Sequence, residues 1–87
     1  MLKILVWNIR GLNKPLKQRE VVGRINRLEA SIVCLLETRV KQPKMQGILN
    51  KHFQGWKMLH NYVEASNGRI WFFWKDSLQV NLIALSS

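Results

Sequence analysis

Dense apolar runs alternate along this chain with basic, turn-forming stretches, and their spacing predicts the elements. Leu2-Lys3-Ile4-Leu5-Val6-Trp7 is rich in branched apolar residues and ends at Asn8, with Leu5, Val6 and Trp7 in unbroken succession. That pattern predicts a strand buried on both faces. Arg10-Gly11-Leu12-Asn13-Lys14-Pro15 carries Gly and Pro punctuation and reads as a loop. From about Leu16 to Glu29, Val21, Val22, Ile25 and Leu28 recur at helical spacing, while Lys17, Arg24 and Arg27 lie off that stripe. Ser31 to Glu37 is a second apolar strand. Strand, helix and strand make a βαβ-like unit, whose two strands can pair in parallel through a right-handed crossover.

The second half reads differently. Thr38-Arg39-Val40-Lys41-Gln42 is a loop leading to Pro43, which suits the first turn of a helix. That helix runs over Lys44 to Phe53 and buries Met45, Ile48, Leu49 and Phe53. Trp56 to Tyr62 is a strand, Ala65-Ser66-Asn67-Gly68 supplies hairpin chemistry, and Arg69 to Trp74 is the returning strand. Lys75-Asp76-Ser77 forms a turn before a last strand over Leu78 to Leu85, with Leu78, Val80, Leu82 and Ala84 on one face. The order is β-α-β-α-β-β-β, an α/β chain with an antiparallel second part. Trp71, Phe72, Phe73 and Trp74 invite a base-stacking reading. Successive strand residues point to opposite faces, however, which makes them core.

Composition narrows the class. With 87 residues the chain holds one domain or part of one, and 47% hydrophobic content argues against disorder. The formal net charge is +9, from 14 Lys+Arg against 5 Asp+Glu. Such a surplus favours a polyanionic partner, because neutralised phosphates release their counterions; nucleic acid leads, ahead of an anionic membrane surface. The single cysteine, Cys34, lies in the run Ile32-Val33-Cys34-Leu35-Leu36 and reads as a buried structural thiol. No Cys or His has zinc-ligand spacing, and His52 and His60 read as surface or partly packed residues. The apolar start is interrupted by Asn8 and Arg10, too soon for a signal sequence or a membrane span, so a nuclear or cytoplasmic location is expected.

Candidate chemistry gathers at two strand ends. Trp7-Asn8-Ile9-Arg10-Gly11-Leu12-Asn13 closes the first strand and Leu35-Leu36-Glu37-Thr38-Arg39 closes the second. In a parallel pair Asn8 and Glu37 would stand side by side at the carboxyl edge, where open α/β sheets place their sites. A carboxylate beside an amide can hold Mg²⁺, which takes hard oxygen ligands and one or two carboxylates. Taken singly, Glu37 also reads as the first polar residue after a strand and Asn8 as a turn-former. Arg10, Arg39 and Lys41 are candidates for phosphate contact or plain solvated charges.

These two motifs, their order and the strand after Asn67-Gly68-Arg69-Ile70-Trp71 resemble the endonuclease/exonuclease/phosphatase superfamily with the DNase I-like fold. Within it they are most similar to the endonuclease domains of plant non-LTR retrotransposons, over nearly the whole chain. The resemblance implies the N-terminal half of a four-layer α/β sandwich, so residues 1–87 would be part of a domain. It also implies a Mg²⁺- or Mn²⁺-dependent DNA endonuclease, with catalytic-site residues Asn8 and Glu37 and with Glu37 as metal ligand. The family's later Asp-x-Asn and Ser-Asp-His motifs have no counterpart here, and Asp76 is the only aspartate. One carboxylate without a general base makes a weak site, so the expectation is a truncated enzyme, inactive alone, with the missing C-terminal half as a partner if that is supplied separately. Two alternatives stay open: a non-catalytic basic module binding DNA or RNA, and a fragment of a relative acting on small phosphoesters.

Overall fold

In the computed structural model, which describes residues 2–62 and 70–79, six elements follow one another. They are β1 (Ile4–Asn8), α1 (Pro15–Leu28), β2 (Ile32–Leu36), α2 (Gln42–His52), β3 (Trp56–His60) and β4 (Ile70–Lys75). The predicted elements from the first strand to the Arg69–Trp74 strand all form, with no end shifted by more than two residues. The Ala65–Gly68 turn and most of the last predicted strand lie outside the described residues. The result is a small α/β domain with a four-stranded mixed sheet in the order β1-β2-β4-β3 and two helices.

The two halves join through the central strands. β1 pairs with β2 in parallel, matching Ile4 to Ile32 and Asn8 to Leu36. β4 runs antiparallel to β2 on one side and to β3 on the other. Register then sorts the side chains. Leu5, Val33, Phe73 and Met58 form one row across the sheet, and Trp7, Leu35 and Trp71 another row on the same face. These residues form one core cluster with Val21 and Ile25 of α1 and with Met45, Ile48 and Leu49 of α2, so both helices cover that face. Phe53, just after α2, stacks on Phe73 at 4.5 Å between ring centroids.

The opposite face corrects the expectation for the first strand. Ile4 and Val6 are 62% and 61% exposed, so β1 is covered on one face only. On that second face Ile32 and Trp74, on the central strands, are buried, whereas Val6 on β1 and Leu59 on β3 are open. A continuous apolar run cannot separate a strand buried twice from an edge strand with one covered face, because both use the same residue types.

Helix α1 begins where sequence chemistry allows. Lys14 is the extended N-cap residue and Pro15 occupies the first turn, where a missing N–H costs nothing. It closes at Glu29, whose left-handed φ of 53° lets Ala30 N–H reach back to Ile25 O at 3.2 Å. Its buried stripe is Gln18, Val21 and Ile25, with Leu28 44% exposed. Lys17 and Arg24, expected in solvent, lie over the Trp7 ring at 5.2 and 4.2 Å from its centroid. Their charged heads can remain hydrated while they cover an edge-strand aromatic.

Candidate metal and phosphate site at the strand tips

The parallel pairing of β1 and β2 does not stop where the strands end. Ile9 N–H donates to Leu36 O at 3.1 Å, Gly11 N–H to Glu37 O at 2.8 Å, and Leu12 N–H to Thr38 O at 2.8 Å. The Asn13 side chain then donates to Arg39 O at 2.9 Å. The two loops are therefore zipped side by side. Ile9, Leu12, Thr38 and Val40 are buried, while Asn8, Arg10 and Arg39 are exposed and Glu37 is half-exposed. Buried side chains lie beneath these loops and polar groups above them.

Two braces hold the zipped loops from below. Gln18 of α1, a buried polar residue on an apolar stripe, donates its amide to Leu12 O at 3.0 Å and Asn13 O at 3.3 Å. Its oxygen meets His52 Nε2 at 3.2 Å, which requires His52 to carry the proton on Nε2, since an amide oxygen can only accept. Burial, then Lys51 and Arg19, lowers the His52 pKa and favours the neutral ring. On the other side Tyr62 OH donates to Val40 O at 2.7 Å and accepts from Trp71 Nε1 at 3.1 Å. Burial raises the Tyr62 pKa, so the phenol keeps the proton it donates.

On this platform Asn8 and Glu37 meet. The Asn8 side-chain amide favours the charged Glu37 carboxylate and is the leading cause of its lowered pKa. Desolvation, the next largest cause, opposes that shift; the charges of Arg39 and Arg10 and a hydrogen bond from Arg39 reinforce it. Arg39 Nη2 lies 3.5 Å from Glu37 Oε1. Glu37 is thus ionised at neutral pH, held by an amide and flanked by two guanidinium groups.

Backbone conformation marks the same spot. Arg10, Glu37 and Arg39 have left-handed φ values of 52°, 53° and 57°. Each such non-glycine residue costs on the order of 1 kcal/mol, and strain of this kind gathers at functional sites. Gly11, at φ 116°, adopts a conformation that only glycine takes readily. Beside these residues opens a notch of about 410 Å³ lined by Ile9, Arg10, Gly11, Asn13, Lys14, Lys17 and Arg39.

The structure brings Asn8, Glu37, Arg10 and Arg39 to one edge. Lys41 stands apart as the N-cap residue of α2, outside the notch. Lys14, Lys17 and Gln18 were missed by the sequence reading. The signal for Gln18 was its position three residues before Val21 and seven before Ile25, on the stripe itself. For Lys14 and Lys17 no local signal distinguishes them from other surface lysines.

Oxygen donors of the right hardness for Mg²⁺ are present in Glu37 and in the Asn8 side-chain oxygen, so the donor chemistry fits a metal held by one carboxylate and completed by waters or phosphate. Among the described residues there is no group of three His, Cys, Asp or Glu side chains that could hold a metal ion. Nor is there, among the same residues, a helix long and apolar enough to cross a membrane. No protein-family model and no curated protein sequence matches this chain significantly.

Proposed function

We propose that the strand tips form the N-terminal share of a divalent-metal-dependent phosphodiesterase site, in a DNase I-like endonuclease domain of retrotransposon type. The observation that carries this reading is the parallel register and loop pairing that set Asn8 and Glu37 at adjacent strand tips. The resemblance of the two motifs supplies the reaction class, and the clustered left-handed residues support a functional edge.

Each residue's role follows from its chemistry. Glu37 would hold Mg²⁺ or Mn²⁺ through its ionised carboxylate, with Asn8 orienting that carboxylate by its amide N–H. The bound metal would supply stabilisation for charge developing on a phosphodiester during hydrolysis. Arg10 and Arg39 offer donors to non-bridging phosphate oxygens, and DNA is the expected substrate. A proton acceptor is needed as well. Both histidines are engaged: His52 hydrogen-bonds Gln18, and His60, at the end of β3, accepts the Tyr62 backbone N–H through Nδ1 and packs on that ring. Asp76 donates its backbone N–H to Gly55 O in the turn after β4, away from the tips. On this reading the site is completed by groups outside the described residues, and the 87 residues alone should not nick DNA.

A second reading, a non-catalytic basic module, is favoured by the Arg39–Glu37 ion pair, which occupies the carboxylate with a protein cation. The two readings separate in a metal titration. With ¹⁵N-labelled protein, Mn²⁺ should broaden amides around residues 8–12 and 37–40, and Glu37→Gln should abolish that broadening. Broadening centred elsewhere, or unchanged in Glu37→Gln, leaves only the non-catalytic reading. Plasmid nicking by the chain in Mg²⁺ should stay at background. Nicking that Glu37→Ala abolishes would show that the site is already complete.

A further inference from the structure

We propose that His52, the last residue of α2, is a positioning residue for Arg39 at the strand tips, acting through Gln18 and Asn13 along a one-way chain of hydrogen bonds. The positioning itself needs no metal. Only its consequence, a guanidinium held against the Glu37 carboxylate, rests on the function proposed above.

Donors point one way along the chain. His52 Nε2 meets Gln18 Oε1 at 3.2 Å, the Gln18 amide donates to Leu12 O and Asn13 O at 3.0 and 3.3 Å, and the Asn13 amide donates to Arg39 O at 2.9 Å. No link can be reversed alone. Backbone carbonyls only accept, so Gln18 must turn its NH₂ group to the loop and its oxygen to His52. That oxygen needs a donor in turn, which the ring supplies from Nε2–H; a ring protonated on Nδ1 alone would set one lone pair against another. Gln18 is 8% exposed, so loss of the histidine donor leaves its oxygen short of water as well. An unsatisfied oxygen favours withdrawal of the whole side chain toward solvent, and the loop carbonyls then lose their donor.

Both ends of the chain are anchored. The His52 ring stands edge-on to Phe53 at 6.4 Å between centroids, and Phe53 stacks on Phe73 in the core. Arg39 holds a left-handed φ of 57°, a conformation that persists only where its surroundings fix it. Asn13 grips the Arg39 carbonyl, and from that backbone the guanidinium reaches Glu37 Oε1 at 3.5 Å. Between these groups the Leu12 N–H bonds Thr38 O at 2.8 Å, so a shift of the first loop is passed to the second. His52 thus acts at a distance, through the loop that Gln18 holds.

The test is NMR of the ¹⁵N-labelled 87-residue chain without metal. At neutral pH the wild type should show a His52 Nε2–H proton with a cross-peak to the Gln18 side chain. His52→Phe keeps a ring but removes the donor. It should displace the Arg39 Nε–H resonance and speed amide hydrogen exchange at Leu12. His52→Gln, which restores a donor at similar reach, should return both signals to their wild-type values. Gln18→Glu, which cannot donate to either carbonyl, should act at least as strongly as His52→Phe. Lys44→Ala on the exposed face of α2 should change neither. Changes in His52→Phe that stop at α2 and Gln18, or equal effects of Phe and Gln at position 52, would reduce His52 to a packing residue and overturn the proposal. Should His52→Phe fail to fold, the wild-type spectrum decides: absence of the Nε2–H cross-peak overturns it. Because no metal enters, this result and the Mn²⁺ titration fail separately.

Discussion

Glu37 keeps its charge in a setting built mainly by one neighbour. The Asn8 side-chain amide is the leading cause of the carboxylate's lowered pKa; desolvation, next in size, pulls the other way, and Arg39 and Arg10 add to the lowering. A carboxyl whose folded pKa is depressed brings stabilisation that is complete above its unfolded pKa, about 4.3, and lost as pH falls through the lowered folded value. Asn8→Ala should therefore move the Glu37 titration upward, toward the ordinary carboxylate range, when followed by the carboxyl ¹³C resonance. An unmoved midpoint would remove Asn8 as the anchor of that charge. Both residues were legible in the sequence because each ends an apolar run, and parallel pairing of those runs brings their ends together.

At the scale of elements, α1 does more than cover the sheet. Through Gln18 it supplies hydrogen-bond donors to two carbonyls, of Leu12 and Asn13, in the loop that carries the site. Removing the amide leaves partly buried acceptors unpaired, at a cost of about 1–3 kcal/mol. Gln18→Ala should lose that much in urea unfolding, whereas Leu16→Ala, at a position 73% exposed, should change stability by less than about 0.5 kcal/mol. Similar losses for both would mean that the brace is not formed in solution. Helical periodicity located α1 but misjudged its faces. Leu28 is apolar and half-open, Gln18 is polar and buried, and Lys17 and Arg24 lie on Trp7. A helical wheel ranks residues by polarity, and it cannot see a loop carbonyl that needs a donor or an aromatic ring that a cation can cover.

Across the whole molecule, the parallel β1–β2 half and the antiparallel β3–β4 half meet through the β2–β4 pairing and a core on one face of the sheet. Phe73 sits at that junction, fully buried, stacked on Phe53 and edge-on to Trp71 at 5.9 Å. Phe73→Ala should cost about 3–5 kcal/mol, a large share of what a domain of this size possesses. Loss of near-ultraviolet circular dichroism at ambient temperature is the expected result. Val6→Thr, on the open face at 61% exposure, should retain the native spectrum. If Phe73→Ala also retained it, the two halves would not share a single core.

By itself the sequence determined the element order, the parallel and antiparallel parts, and the meeting of residues 8 and 37. Those outcomes depend on local periodicity, on turn residues and on where apolar runs stop. Tertiary structure alone decided that the sheet is covered by helices on one face and that Gln18 and Tyr62 brace the loops. It also decided that Lys14 and Lys17 join Arg10 and Arg39 around one notch while Lys41 stands apart. These are relations between groups far apart in the chain, set by which surfaces pack together, and no single run of residues records them.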